Sequence, residues 1–90
     1  MIQKYHVGNL IFMQGTPSKQ VQLTNTYQSL SKIPLMIGFD GEWGLDMRLQ
    51  NTYKFPWNIT LGAIQDNTLI RKFGEHLGRH AKRVGIHVNF

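Results

Sequence analysis

Leu35-Met36-Ile37-Gly38-Phe39-Asp40-Gly41-Glu42-Trp43-Gly44 is the stretch that decides how this chain is read. Leu35 to Phe39 run without a polar break, Pro34 punctuates their start, and the run stops at a carboxylate. It is too short for an ordinary helix, so 35–39 reads as a buried strand of the kind that parallel sheets make. A glycine-bracketed turn carrying Glu42 and Trp43 follows. A charge where such a strand runs out lies where open sheets and β/α barrels hold their ligands. Asp40 is therefore either an acceptor for a polar ligand or a turn-capping or salt-bridged carboxylate, with Arg48 the nearest cation in sequence.

Upstream, Val7 to Met13 reads as another strand, with Leu10 to Met13 its apolar core. Gln14-Gly15 breaks it. Thr16 can cap a helix whose first position suits Pro17, because no N–H is needed there. Leu23, Tyr27 and Leu30 then recur at helical spacing, with Val21 nearby, which predicts a helix over 17–31. Downstream, Asp40 to Asp66 has no clear periodicity and carries Trp43, Tyr53, Phe55 and Trp57. A loop that long is usually functional, so these rings either line a pocket or cover one end of the core. Met47 to Gln50 could form a short turn within it.

Asp66-Asn67 caps a helix over 67–84, whose stripe is Ile70, Phe73, Leu77, Ala81 and Val84. Lys82 and Arg83 suit its last turn, and Gly85 its C′ position. Ile86 to Phe90 begins a third strand. The resulting order, strand, helix, strand, helix, strand, means parallel strands with right-handed crossovers. Parallel strands want both faces covered. Two helices do this for three strands only if one lies on each side, or if 1–90 is a segment of a larger α/β domain. A third strand that meets the end of the chain favours the segment.

The totals limit the choice of function. Ninety residues make at most one small domain, with 41% hydrophobic and 17% charged residues, a globular balance. There is no cysteine, so neither a disulfide nor a thiolate metal site can exist. No apolar run approaches the roughly 20 residues that span a bilayer, so no membrane partner is expected. The net charge of +5 comes from ten Lys and Arg against five Asp and Glu. These charges are scattered, and the densest group reads as a solvated helix face.

Asp40, Glu42 and Asp46 form the acidic cluster. Paired carboxylates can hydrolyse glycosides or hold a hard cation, but the intervening glycines leave their relative direction open. His76 and His80 are spaced to chelate from one helix face, yet Glu75 precedes the first histidine and no third ligand is evident, so no metal is assigned. The glycines match no phosphate-loop spacing.

Pro34 to Gly44, then Met47-Arg48-Leu49, Phe55-Pro56 and Leu61-Gly62-Ala63, resemble the N-terminal catalytic domain of glycoside hydrolase family 3. Its bacterial β-N-acetylhexosaminidase branch carries D-x-E-x-G, an arginine, a proline and a small-residue motif in this order. Ala81 to Phe90 is similar to the family's next helix-to-strand passage. The similarity runs from about His6 to Phe90. It implies a (β/α)8 barrel of which 1–90 resembles an early portion, the second to fourth strands. It also implies a retaining glycosidase acting on β-N-acetylhexosaminides or β-glucosides, with no cofactor. The family's match to Asp40 binds hydroxyls of the sugar in the cleaved subsite and is not the nucleophile; Arg48 matches an arginine near that pocket. Trp43 stands where the branch often has glycine, where it could narrow the pocket or stack in it. The nucleophile and the acid/base pair belong to later loops, so 1–90 alone is expected to be inactive. The expected partners are a carbohydrate and the remainder of the barrel, with self-association through uncovered strand edges and without nucleic acid. The competing possibility is a stand-alone α/β module binding nucleic acid through Arg71, Lys72, Arg79, Lys82 and Arg83.

Overall fold

A computed structural model describes all residues from Met1 to Phe90. The elements run α1 (Ile2–Tyr5), β1 (Asn9–Phe12), α2 (Pro17–Leu30), β2 (Met36–Phe39), a 3-10 turn (Leu45–Met47), α3 (Asn58–Leu61), α4 (Asn67–Arg83) and β3 (Val88–Asn89). The fold is mixed α/β with one three-stranded sheet in the order β1-β2-β3, all parallel. The register pairs Leu10 with Ile37 and Gly38 with Val88. Backbone bonds reach beyond the strand limits: Met36 N–H donates to Gly8 O (2.9 Å), and Phe90 N–H donates to Phe39 O (2.9 Å). The sequence expectation of a β-α-β-α-β segment with strands near 7–13, 35–39 and 86–90 therefore holds, with shorter ladders.

Local chemistry explains the ends of the two long helices. Thr16 Oγ1 accepts from Lys19 N–H (3.3 Å) with Pro17 in the first turn, and Asp66 Oδ1 accepts from Thr68 N–H (2.8 Å). After α4, Gly85 N–H donates to Lys82 O and Ile86 N–H to Ala81 O (3.2 and 3.0 Å). That pair of bonds is a Schellman cap. It places Gly85 at φ +80°, where a Cβ would also lie 2.8 Å from Thr24 Cγ2.

β2 sits at the centre of the sheet and of the core. Leu35, Ile37 and Phe39 are at most 2% exposed, each burial stabilising by about 1.5–3 kcal/mol. They pack with Leu45, Leu49, Val84 and Ile86, and with half-buried Val21 and Tyr27 of α2 and Ala81 of α4. Both long helices thus lie on the same side of the sheet, α4 meeting the core through its last turn while none of its residues is buried. The opposite face carries Ile11, Met13, Met36 and Phe90, all more than half exposed. Burial of the 35–39 run on both faces is corrected here: Met36 is 52% exposed, and on its side only Gly38 is closed, by Ile11 and Phe90. The reason is topological. Strands laid down in sequential order by crossovers of one hand put every helix on one side.

Two further differences concern α2 and the long loop. The α2 residues fully removed from water are Gln20 and Thr24, while Leu30 is 42% exposed. Small Thr24 lets the Gly85 turn approach closely. The 40–66 stretch is not structureless: it holds the 3-10 turn and α3, and Gln50 N–H donates to Gly15 O (2.8 Å), tying it to the loop after β1. Only 12 of 90 residues are buried, and the molecule measures 50 × 22 × 18 Å. Its Cα radius of gyration, 14.7 Å, exceeds the roughly 12 Å of a compact domain of this length.

Candidate functional site at the end of β2

Asp40 follows the last residue of β2, at the carboxyl edge of the sheet. Three groups of contacts fix the loop that carries it. The Asn89 side chain grips the backbone of Gly41: Gly41 N–H donates to Asn89 Oδ1 (2.8 Å) and Asn89 Nδ2 donates to Gly41 O (3.1 Å). Gly41 tolerates no side chain, since a Cβ would lie 2.8 Å from the Phe39 ring. Gly44 N–H then closes a turn onto Gly41 O (3.0 Å), leaving Glu42 exposed and Trp43 half-buried. Gly44, at φ +106°, sits against the Phe55 ring.

The next turn delivers Arg48. Leu45 and Leu49 are buried on either side of it, at 5% and 0% exposure. Arg48 Nε donates to the backbone oxygen of Asp40 (3.2 Å), and its guanidinium Nη2 pairs with Asp40 Oδ2. The pair is the chain's one salt bridge. Its side chains are 33% (Asp40) and 26% (Arg48) exposed, so the attraction is largely screened and worth at most about 1 kcal/mol. Its main effect is orientation. Arg48 occupies one carboxylate oxygen, while Oδ1, which has no hydrogen-bond partner in the chain, can accept from a hydroxyl.

Asp40 and Arg48, expected together from sequence, meet at this edge. Trp43, the third expected site residue, packs instead against Trp57, with ring centroids 5.8 Å apart and planes inclined by 41°. Phe55 packs on α4, meeting Phe73 edge-on at 5.0 Å, and Tyr53 lies outside it at 4.8 Å. The aromatic loop is thus divided between packing and an outer pair. The five main surface depressions lie along α4 and around α2, and Asp40 lines none of them.

The other clusters stay apart. His76 and His80 lie with ring centroids 6.3 Å apart, beside Arg79, Lys82 and Arg83, and no group of three His, Asp or Glu assembles. Side chains that hold β2 and the turn after it carry no sequence motif of their own. Asn89 anchors Gly41, His87 Nδ1 accepts from Ile37 N–H (3.0 Å), and the Gln28 amide pairs with both backbone groups of Leu35 (2.8 and 2.9 Å). The signal for Asn89 is its place between Val88 and Phe90 in a strand, where asparagine is disfavoured.

Comparison with known proteins places the chain in a family. The family model described as "Glycosyl hydrolase family 3 N terminal domain" matches residues 1–90. A beta-N-acetylglucosaminidase/beta-glucosidase of Cellulomonas fimi is 27% identical over 85 residues, covering 94% of this chain and 15% of that protein. Beta-hexosaminidase A of Pseudoalteromonas piscicida is 30% identical over 104 residues, covering all of this chain and 17% of that protein. The chain thus spans less than a fifth of either relative. The match covers all 90 residues, and the chain belongs to the glycosyl hydrolase family 3 N-terminal domain family.

Proposed function

We propose that these 90 residues are an early part of the (β/α)8 barrel of a retaining glycosidase that removes terminal β-linked sugars, N-acetylhexosaminyl or glucosyl. Asp40 is the residue that holds the sugar. Its free Oδ1 accepts from ring hydroxyls, Arg48 keeps the carboxylate aimed, and Trp43 flanks the site. The carrying observation is Asp40 at the carboxyl edge of β2, with one oxygen held by Arg48 and the other unused. The barrel is supported by sequential parallel strands with both helices on one face, an apolar bare face and two unpaired outer strands. The substrates named for the two relatives supply the sugar class.

In this proposal the nucleophile and the acid/base lie outside 1–90. The isolated chain should release no nitrophenol from aryl β-N-acetylglucosaminide or β-glucoside. Measurable turnover, abolished by Asp40→Ala, would show that the chemistry is carried within 1–90 and overturn the division of labour.

One observation favours a second reading. Five cations of α4 (Arg71, Lys72, Arg79, Lys82 and Arg83) form no ion pair, although Glu75 is on the same helix. Salt-dependent binding of DNA or RNA, lost when Arg79, Lys82 and Arg83 are neutralised, would support a nucleic-acid module instead.

A further inference from the structure

The chain has two tryptophans, and the fold brings them together from positions 43 and 57. Trp43 sits in the Gly41–Gly44 turn, three residues beyond Asp40. Trp57 precedes α3 and is 58% exposed. Of the remaining rings of the loop, Phe55 packs on α4 and Tyr53 packs on Phe55, and neither ring pairs with a tryptophan, so the two tryptophans form a separate unit that starts from the turn after Asp40. Trp43 does not cover Trp57, and a large apolar ring is left in water, joined through Trp43 to the turn that follows Asp40.

We propose that Trp43 and Trp57 form an aromatic platform for a second pyranose ring, next to the one that Asp40 holds; this rests on the sugar-binding role proposed above. The chemistry is complementary. A β-linked pyranose presents its hydroxyls at the rim and its C–H groups on its faces. Those hydrogens carry partial positive charge and suit the negative face of an indole, while the face itself is apolar surface removed from water. The spacing decides how the sugar lies. Non-bonded carbons pack at about 3.5–4.0 Å, so a ring held between two indoles needs about 7–8 Å between them. The centroids are 5.8 Å apart, which is too close. The second sugar therefore lies across the outward face of the pair, led by Trp57, and is not clamped within it. Asp40 reads hydroxyls, and the platform reads the presence of a further ring.

Tryptophan emission reports on this pair alone, because the chain has no other tryptophan. The test titrates the chain with N-acetylglucosamine, glucose, N,N′-diacetylchitobiose and cellobiose, following emission, and follows Trp57→Leu and Asp40→Ala with the same sugars by ligand-observed NMR. The disaccharide matching the preferred monosaccharide should quench emission and bind about tenfold more tightly than that monosaccharide, within the range of one aromatic contact. Trp57→Leu should erase that preference and leave monosaccharide binding unchanged, and Asp40→Ala should weaken both. Because Trp57 is exposed, the leucine variant should keep the wild-type far-ultraviolet circular dichroism. If Asp40→Ala weakens binding but Trp57→Leu keeps the disaccharide preference, the platform is wrong and the sugar site stands. If the wild-type chain binds none of the four at concentrations up to 100 mM, roughly an order of magnitude beyond a weak single-ring contact, both fail.

Discussion

Replacing Asn89 with alanine removes the two hydrogen bonds that hold the Gly41 backbone, at 2.8 and 3.1 Å. Each bond contributes about 0.5–1.5 kcal/mol net. Gly41 is buried, so its N–H and C=O lose their partners where water enters only by opening the turn. The expected cost is about 2 kcal/mol, concentrated in the loop rather than spread over the sheet. Amide hydrogen exchange at Gly41 and Gly44 measures it directly. In Asn89→Ala, exchange at Gly41 should accelerate about thirtyfold, while Ile37 and Phe39 in the core ladder change little. Asn89→Asp keeps an acceptor for the Gly41 N–H but loses the donor to Gly41 O, so it should fall between the two. Unchanged exchange at Gly41 in Asn89→Ala would refute the claim that β3 positions the Asp40 turn.

Other outcomes follow from the same contacts. Gly85→Ala forces a side chain into φ +80° and against Thr24, so thermal unfolding should show a loss of about 1–2 kcal/mol; a change below about 0.3 kcal/mol would contradict the cap geometry. Leu49→Ala opens the fully enclosed site beside Arg48 and should cost about 2–4 kcal/mol by denaturant titration, enough to unfold much of a chain with so few buried residues. The bare sheet face and the free edges of β1 and β3 should make the isolated chain self-associate, with light scattering mass rising with concentration. Met36→Lys, which puts a charge on that face, should lower the associated fraction, and a chain monomeric at millimolar concentration would remove the inference.

The parts of the fold that depend on neighbours in sequence were readable before any coordinates. Thr16-Pro17, Asp66 and Gly85 mark helix ends through contacts of two to five residues, and each makes the bond its type implies. The alternation of strands and helices likewise fixed the parallel sheet. What escaped depends on distant partners. Thr24 is buried where Gly85, some sixty residues on, approaches it, while Leu30 stays exposed. The Asn89–Gly41 link spans 48 positions. Arg48 beside Asp40 was suggested by nearness in sequence, but its second bond, to the backbone oxygen, required the turn between Leu45 and Leu49. Trp43 could be placed near the site, whereas nothing in the sequence tied it to Trp57 rather than to Tyr53 or Phe55.

The most direct measurement is the kcat/KM of Asp40→Ala, against aryl β-N-acetylglucosaminide and β-glucoside, in the complete barrel proposed for this chain. If Asp40 holds sugar hydroxyls through its free oxygen, kcat/KM should fall by about two to four orders of magnitude, as contacts that strengthen in the transition state are lost. The far-ultraviolet spectrum should be retained, because Asp40 is partly exposed and its ion pair contributes little to stability. A kcat/KM within about twofold of wild type, with the fold intact, would contradict the assignment of Asp40 to the sugar site.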